Sequence, residues 1–215
     1  EGLEIMIIPK TPESWLDVPG FNNIKHLEHL TEYIKECKVG RILEIGCAWG
    51  GSTWAILDGI QDGVSLQTVD TFDMNNPALK HHHYRGVAEK HQTNMSVMYG
   101  MQIYMEKNQR ACFDHFISYH PKRSHLKKVH QMTSIEVLKN DVNWDLAYID
   151  GLHSYENVRA ELKYLKDVPM LCGDDYHPTH KGCMQAIDEF REKYPDREFH
   201  HDPFESGSGF WTITA

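Results

Sequence analysis

Three aspartates and a histidine carry the clearest chemical potential in this chain. Asp150 lies in the run Asp145-Leu-Ala-Tyr-Ile-Asp150-Gly151-Leu152-His153-Ser154-Tyr155, and Gly173-Asp174-Asp175 comes one helix later. Both acidic points follow short apolar stretches, Leu146–Ile149 and Val168–Cys172, that read as buried strands. Neighbouring parallel strands would bring Asp150, Asp174 and Asp175 together. Clustered carboxylates repel one another unless protonated or neutralised. A hard divalent cation with oxygen ligands solves this, with Mg²⁺ the default and Mn²⁺ or Ca²⁺ as substitutes. One such Asp is more often a helix cap or a solvated loop acid; three at successive strand ends favour the metal. His153 falls three residues after Asp150. A neutral imidazole there could take a proton from a substrate hydroxyl, and a metal on that oxygen would lower its pKa. The plainer alternative is a surface histidine beside a helix cap at Ser154. Tyr176 and His177 could line a pocket or add a ligand.

A second constellation lies upstream. Glu44-Ile45-Gly46-Cys47-Ala48-Trp49-Gly50-Gly51-Ser52 joins a short apolar strand, Arg41–Ile45, to a helix through Trp54, Ala55, Ile56 and Leu57. Glycines let the backbone approach a ligand, and the helix start offers free N–H groups. The run has neither the GxGxxG spacing of a dinucleotide site nor the Lys of a phosphate loop. Asp70 ends the next strand, Ser65–Val69, 24 residues after Gly46. A carboxylate there can accept hydrogen bonds from both hydroxyls of a ribose. A tight strand–helix turn with a capping Asp is the competing account, and Asp70 at the next strand end weighs against it. Trp49 could stack on a ligand or pack in the core; Trp144 and Trp211 read as core.

The elements that must position these residues alternate. An irregular leader with Pro9, Pro12, Pro19 and Gly20 precedes an amphipathic helix over 22–37, on which Ile24, Leu27, Leu30 and Ile34 recur. Further strands fall at Leu126–Met132 and at a C-terminal antiparallel pair, Glu198–His200 and Phe210–Thr214. Helices run through Val158, Leu162 and Leu165 and through Met184, Ile187 and Phe190. Alternation of this kind predicts an α/β chain with a Rossmann-like, doubly wound sheet, mostly parallel, whose ligands bind at the carboxyl ends of the strands. The expected organisation is one domain over 1–215, with a leader to about 38. Residues 73–124 are long for one crossover and read as a lid insertion. The triple His81-His82-His83 inside it is a poor chelator, because consecutive side chains diverge.

Composition narrows the partners. The 215 residues suit a single hydrophobic core. The net charge of -9, with lysines and arginines scattered, argues against nucleic acid. No apolar run approaches a membrane span, and Glu1-Gly2-Leu3-Glu4 lacks both an initiator Met and the basic region of a signal peptide. The five cysteines, odd in number and without a CxxC pair, predict reduced thiols in a cytoplasmic protein. A small-molecule ligand, uncharged or cationic, fits best.

The glycine segment with Asp70 resembles the first motif of class I S-adenosylmethionine-dependent methyltransferases. The resemblance implies that Glu44, Gly46 and Gly50 surround the methionine part of the cofactor, that Ser52 contacts its carboxylate, and that Asp70 holds the ribose. Thr133 and Ser134, after the third strand, would border the adenine, and Asp150 would face cofactor and metal alike. From Asp145 to Phe190 the chain resembles the macrocin O-methyltransferase-like family, through Ile149-Asp150-Gly151, His153, Tyr155, Asp174-Asp175 and a helix led by Gly182. It departs at Leu171-Cys172-Gly173, where paired glycines are usual, and at Cys183, where Val is usual. The resemblance implies a metal-dependent O-methyltransferase with Asp150, Asp174 and Asp175 as ligands and His153 as base. Its acceptor would be a hydroxylated small molecule, such as a sugar on a natural product. Family members often form homo-oligomers through N-terminal segments, which makes the helix at 22–37 a candidate contact. Two other readings compete: a non-catalytic S-adenosylmethionine-binding regulatory or scaffold protein, and an NAD-linked oxidoreductase, for which the glycine spacing is wrong.

Overall fold

The computed structural model describes residues 12–18, 24–73, 108–203 and 209–215. Seven described strands form one sheet: β1 (Arg41–Ile45), β2 (Ser65–Asp70), β3 (Leu126–Gln131), β4 (Leu146–Ile149), β5 (Met170–Gly173), β6 (Glu198–Pro203) and β7 (Gly209–Thr214). Their order is β3-β2-β1-β4-β5-β7-β6. All neighbours run parallel up to β5, and β7 enters antiparallel between β5 and β6. The expected sheet and its C-terminal antiparallel pair are both present, and the fold is Rossmann-like.

Six described α-helices flank it: α1 (Ile24–Glu36), α2 (Gly51–Gly59), α3 (Gln109–Ser118), α4 (Ser134–Leu138), α5 (Tyr155–Tyr164) and α6 (Lys181–Lys193). Alternate strand residues serve the two faces. Ile42 of β1 packs with Leu30, Ile34, Ile56 and Phe116 in one core. Leu43 and Ile45 pack with Leu162, Ile187 and Trp211 in the other. A sheet covered on both sides carries nearly continuous apolar strands, as Leu146–Ile149 does with all four residues buried. Ser154 caps α5 as expected, its hydroxyl accepting from the Asn157 N–H at 3.3 Å. Trp49, Trp144 and Trp211 are all buried, and the five cysteines are buried and unbridged.

The structure describes part of the expected lid and most of the expected contact helix. The C-terminal part of the expected lid contains α3, which buries Cys112, Phe113, Phe116 and Ile117 and serves as the crossover helix before β3. Its apolar face belongs to the core, because Ile117 and Phe113 close over Gly50. His81, His82 and His83 lie outside the described residues. In α1, the expected contact helix, Leu27, Leu30, Thr31 and Ile34 are buried, largely against α2, while Ile24 of the same stripe is exposed. Gly59 of α2 permits that approach, since a Cβ there would meet the Thr31 carbonyl and the Ile34 side chain. Among the described residues no helix is long and apolar enough to cross a membrane.

Strand order reverses between β1 and β4, and in such sheets the crevice at that reversal is where ligands bind. Register pairs Ile45 with Ile149 and Ile149 with Gly173. The next residues, Gly46, Asp150 and Asp174, therefore emerge side by side at one sheet edge.

Candidate active site

The glycine turn is held by backbone strain and buried hydroxyls. Gly46 has φ +83°, Ala48 +42° and Gly50 +102°. At Gly46 this is the left-handed region that glycine enters freely, and a Cβ would collide with the backbone of Asp150 and Gly151. The turn and the Asp150 loop are thus in direct backbone contact, with the Asp150 N–H donating to the Ile45 carbonyl at 2.8 Å. Glu44 lies fully buried below the turn. Its two carboxylate oxygens accept from the Ser52 hydroxyl at 2.7 Å and the Thr53 hydroxyl at 2.6 Å. Burial pushes the Glu44 carboxyl up to about 7, despite those hydrogen bonds. The structure therefore places Glu44 and Ser52 in an internal clamp that fixes the first turn of α2. Asp70 accepts from the backbone N–H groups of Cys47 at 3.0 Å, Ala48 at 2.9 Å and Phe72 at 2.7 Å. It braces the turn from the end of β2.

Thr133 and Ser134 stand beyond β3. Thr133 forms a capping box with Glu136 at the start of α4. Ser134 donates to Glu161, a fully buried acid on α5 that also accepts from Asn157 at 2.8 Å. Burial raises Glu161 to about 7, against the hydrogen bonds from Ser134 and Asn157.

The second half of the site is crowded with charge. His153 Nδ1 lies 2.6 Å from Asp175 and its Nε2 lies 3.7 Å from Asp150. His180, at the start of α6, places Nε2 3.3 Å from the other oxygen of Asp175. The two rings meet edge to face, centroids 5.1 Å apart. Asp175 itself has φ +66°, a conformation that costs energy for a residue with a Cβ and accumulates at functional sites. Burial opposes a charge on His153, yet the carboxylates of Asp150 and Asp175 prevail and lift it to about 10. Burial works against the Asp175 carboxylate as well, but His153 and His180 hold it below its ordinary value. Asp174 is pushed up by burial and by Asp150 and Asp175, with His26 opposing. Among the described residues, the donor atoms within 4.8 Å of one another belong to His153, Asp175 and His180; Asp150 and Asp174 flank that group.

Gly173 shows why β5 tolerates Cys172 in place of a second glycine. Cys172 is fully buried, whereas a Cβ at Gly173 would collide with the Ile149 carbonyl and the Trp211 ring. Only that position demands glycine.

A model of a methyltransferase-domain family matches residues 43–169, from β1 to the approach of β5. The chain belongs to this methyltransferase-domain family. The match spans the glycine turn, Asp70, Asp150 and His153, and stops short of Asp174 and Asp175. No curated protein matches in sequence. Among solved structures, a cofactor-bound protein from MTB aligns with TM-score 0.62 and 13% identity, covering 93% of this chain and 84% of its own. An O-methyltransferase from Bacillus cereus, in complex with SAH, aligns at 0.60 and 14%, covering 100% and 96%. The O-methyltransferase TomG from Streptomyces achromogenes, in complex with SAM, aligns at 0.54 and 12%, covering 100% and 94%. At such identities the shared property is the fold.

Sequence reasoning passed over four residues that the structure brings in. Thr53 was hidden as one hydroxyl among many, though it follows Ser52 at a helix start opposite a buried Glu. His180 sits outside the Asp-rich motif. His26 and Tyr148 were read as part of a helix and a strand. The detectable signal was His26 beside Leu27 and Leu30 on the apolar face of α1, where a histidine needs a partner.

Proposed function

We propose that this methyltransferase domain moves a methyl group from S-adenosylmethionine to a hydroxyl of a small molecule, a sugar or glycosylated natural product in particular. One observation carries the reading: the Gly46 turn packs directly on the Asp150–Gly151 backbone, so a cofactor turn and a polar charge cluster share one wall. The relatives point the same way, since the Bacillus cereus and TomG proteins are O-methyltransferases in complex with SAH and SAM, and TomG is involved in tomaymycin synthesis.

Each residue then has a task. Gly46 and Gly50 give the cofactor backbone clearance, while Glu44, through Ser52 and Thr53, keeps the α2 N-terminus open towards it. Asp70 stands at the ribose side, and Thr133 and Ser134 shape the adenine side. Asp150, Asp174 and Asp175 offer the hard oxygen donors that a divalent cation takes, although among the described residues the donor atoms gathered within 4.8 Å belong to His153, Asp175 and His180. Asp150, Asp174 and Asp175 would hold Mg²⁺, which would supply positive charge to acidify the acceptor hydroxyl and offset the carboxylates around His153. Methyl transfer to an oxygen releases one proton, which His153 would accept only after giving up to solvent the proton that Asp150 and Asp175 hold on it. Orientation of acceptor against cofactor supplies much of the rate.

A second reading of the cation rests on the His153–Asp175–His180 group. Two imidazoles with one carboxylate suit Zn²⁺, Mn²⁺ or Fe²⁺ better than Mg²⁺, and His153 would then be a ligand in place of a base. Assay of S-adenosylhomocysteine release with a panel of sugars, glycosides and phenols, with chelator and with single added metals, tests both. Turnover with Mg²⁺ alone supports the first set; turnover only with a transition metal supports the second. Cofactor binding with no transfer to any acceptor would leave a scaffold.

A further inference from the structure

Beneath the carboxylates runs a buried polar bridge that the proposed chemistry does not use. His26 of α1 has no exposed surface. Its Nε2 lies 2.8 Å from the Tyr148 hydroxyl, and that hydroxyl donates to Asp150 Oδ2 at 2.9 Å. Its Nδ1 lies 3.4 Å from Asp174 Oδ1. Tyr148, on β4, is likewise fully buried. The proton count sets the directions. Tyr148 has one hydroxyl hydrogen, which goes to Asp150, so its oxygen accepts from a protonated His26 Nε2. One imidazole thereby lies between the acids that end two adjacent strands: it reaches Asp150 through the Tyr148 hydroxyl, and it pairs with Asp174 only when Nδ1 also carries a proton. Phe210 meets the ring edge-on at 5.3 Å and fixes its plane. Burying a histidine and a tyrosine hydroxyl costs free energy that an apolar pair would avoid. The Tyr148 hydroxyl is directed at Asp150, and His26 Nδ1 faces Asp174.

We propose that His26 and Tyr148 are positioning residues that hold Asp150 and Asp174 in place for the cation, which makes α1 part of the catalytic machinery. This rests on the reading that those carboxylates bind the cation. Outer groups that orient metal ligands typically change affinity 10- to 100-fold when removed, by order of magnitude. Coupling of this kind is reciprocal, so a cation on the carboxylates also tightens α1 against the sheet.

The test is calorimetric titration of Mg²⁺, and separately of Mn²⁺, into the full chain and its Tyr148→Phe, His26→Gln and doubly substituted forms. The expected result is that each single change weakens the cation about 10- to 100-fold, with S-adenosylmethionine affinity unchanged. The double change should cost no more than the worse single one, since both break one bridge. Hydrogen exchange of α1 amides should slow on adding cation to the wild type and not to Tyr148→Phe, which removes a single oxygen and keeps the ring packing. Unchanged cation affinity in both single variants overturns the proposal. So does an equal loss of cation and cofactor binding, which marks a merely structural role. Methyl transfer by a wild type that binds no cation would defeat the metal reading and this inference together. Cation-dependent protection of α1 without any methyl transfer would defeat the methyltransferase reading alone.

Discussion

The two halves of the site contain acids at the ends of adjacent strands, yet they treat those acids in opposite ways. In the glycine half, the chain itself satisfies them: Glu44 by two hydroxyls and Asp70 by three backbone N–H groups. In the carboxylate half, Asp150, Asp174 and Asp175 cluster, and the side chains that meet them are imidazoles and the Tyr148 hydroxyl. The first half is a finished cradle whose charges serve shape. The second is electrostatically open and gains from an added positive charge. A cofactor turn must be rigid before the ligand arrives, whereas a reacting centre must be able to exchange protons and charge.

The strongest way to break this contrast is at the wall the halves share. Gly46→Ala forces a Cβ into the Asp150 backbone at a positive φ. Steric overlap and backbone strain together should remove about 3 kcal/mol or more of stability, read by urea denaturation, and abolish cofactor binding. A fully stable variant would show that the two backbones are not locked together.

Asp175→Asn addresses the open half alone. Methyl transfer should fall by at least about 100-fold, the usual scale for losing a group that orients an acid or base, while cofactor affinity persists. With Asp175 present, His153 is raised to about 10 from an ordinary 6.5. Its stabilising charge is therefore complete below about 6.5 and lost as pH rises through about 10. In the metal-free protein, Asp175→Asn should flatten the stability–pH curve across that window and lower the His153 titration midpoint seen by NMR.

Glu44→Gln addresses the finished half. The Glu44 carboxyl sits near 7 when folded, against an ordinary 4.5. Its contribution is thus fully present below about 4.5 and lost as pH rises through 7. The Gln variant should match the wild type at pH 4.5 and exceed it by about 1–2 kcal/mol at pH 8, in parallel denaturation series. A lower stability at pH 8 would mean that the carboxylate charge is needed by the turn. The smallest effect is expected at Ser154→Ala, which removes the α5 cap and should cost about 1 kcal/mol. Asp150 and His153 lie just before the cap, so kcat should change less than stability.

Much of the finished half was legible in the chain. Short apolar stretches closed by glycines define β1 and the α2 start, and a carboxylate at the end of Ser65–Asp70 is visible without coordinates. The same holds for β4, whose four buried residues form one unbroken apolar run. What escaped were contacts made at long range. The resemblance implies Glu44 at the methionine part of the cofactor, and the chain does not show that its carboxylate also accepts from Ser52 and Thr53. α3 looked like lid because its helical pattern follows a long polar segment, and only its packing on Gly50 shows it to be core. His180 and His26 lie far from the Asp motifs in the chain and reach them through α6 and α1.

The sequence by itself determined the alternation of strands and helices, the glycine turn and the acids at strand ends. These are local: period, turn conformation and the residue that follows a strand are set by neighbours in the chain. Tertiary structure alone decided which of those acids are satisfied and which are left to repel. That depends on register across β1, β4 and β5 and on a helix, α1, that precedes them all. Charge and hydrogen bonding act through space at a few ångströms, and such distances are fixed only when distant segments pack.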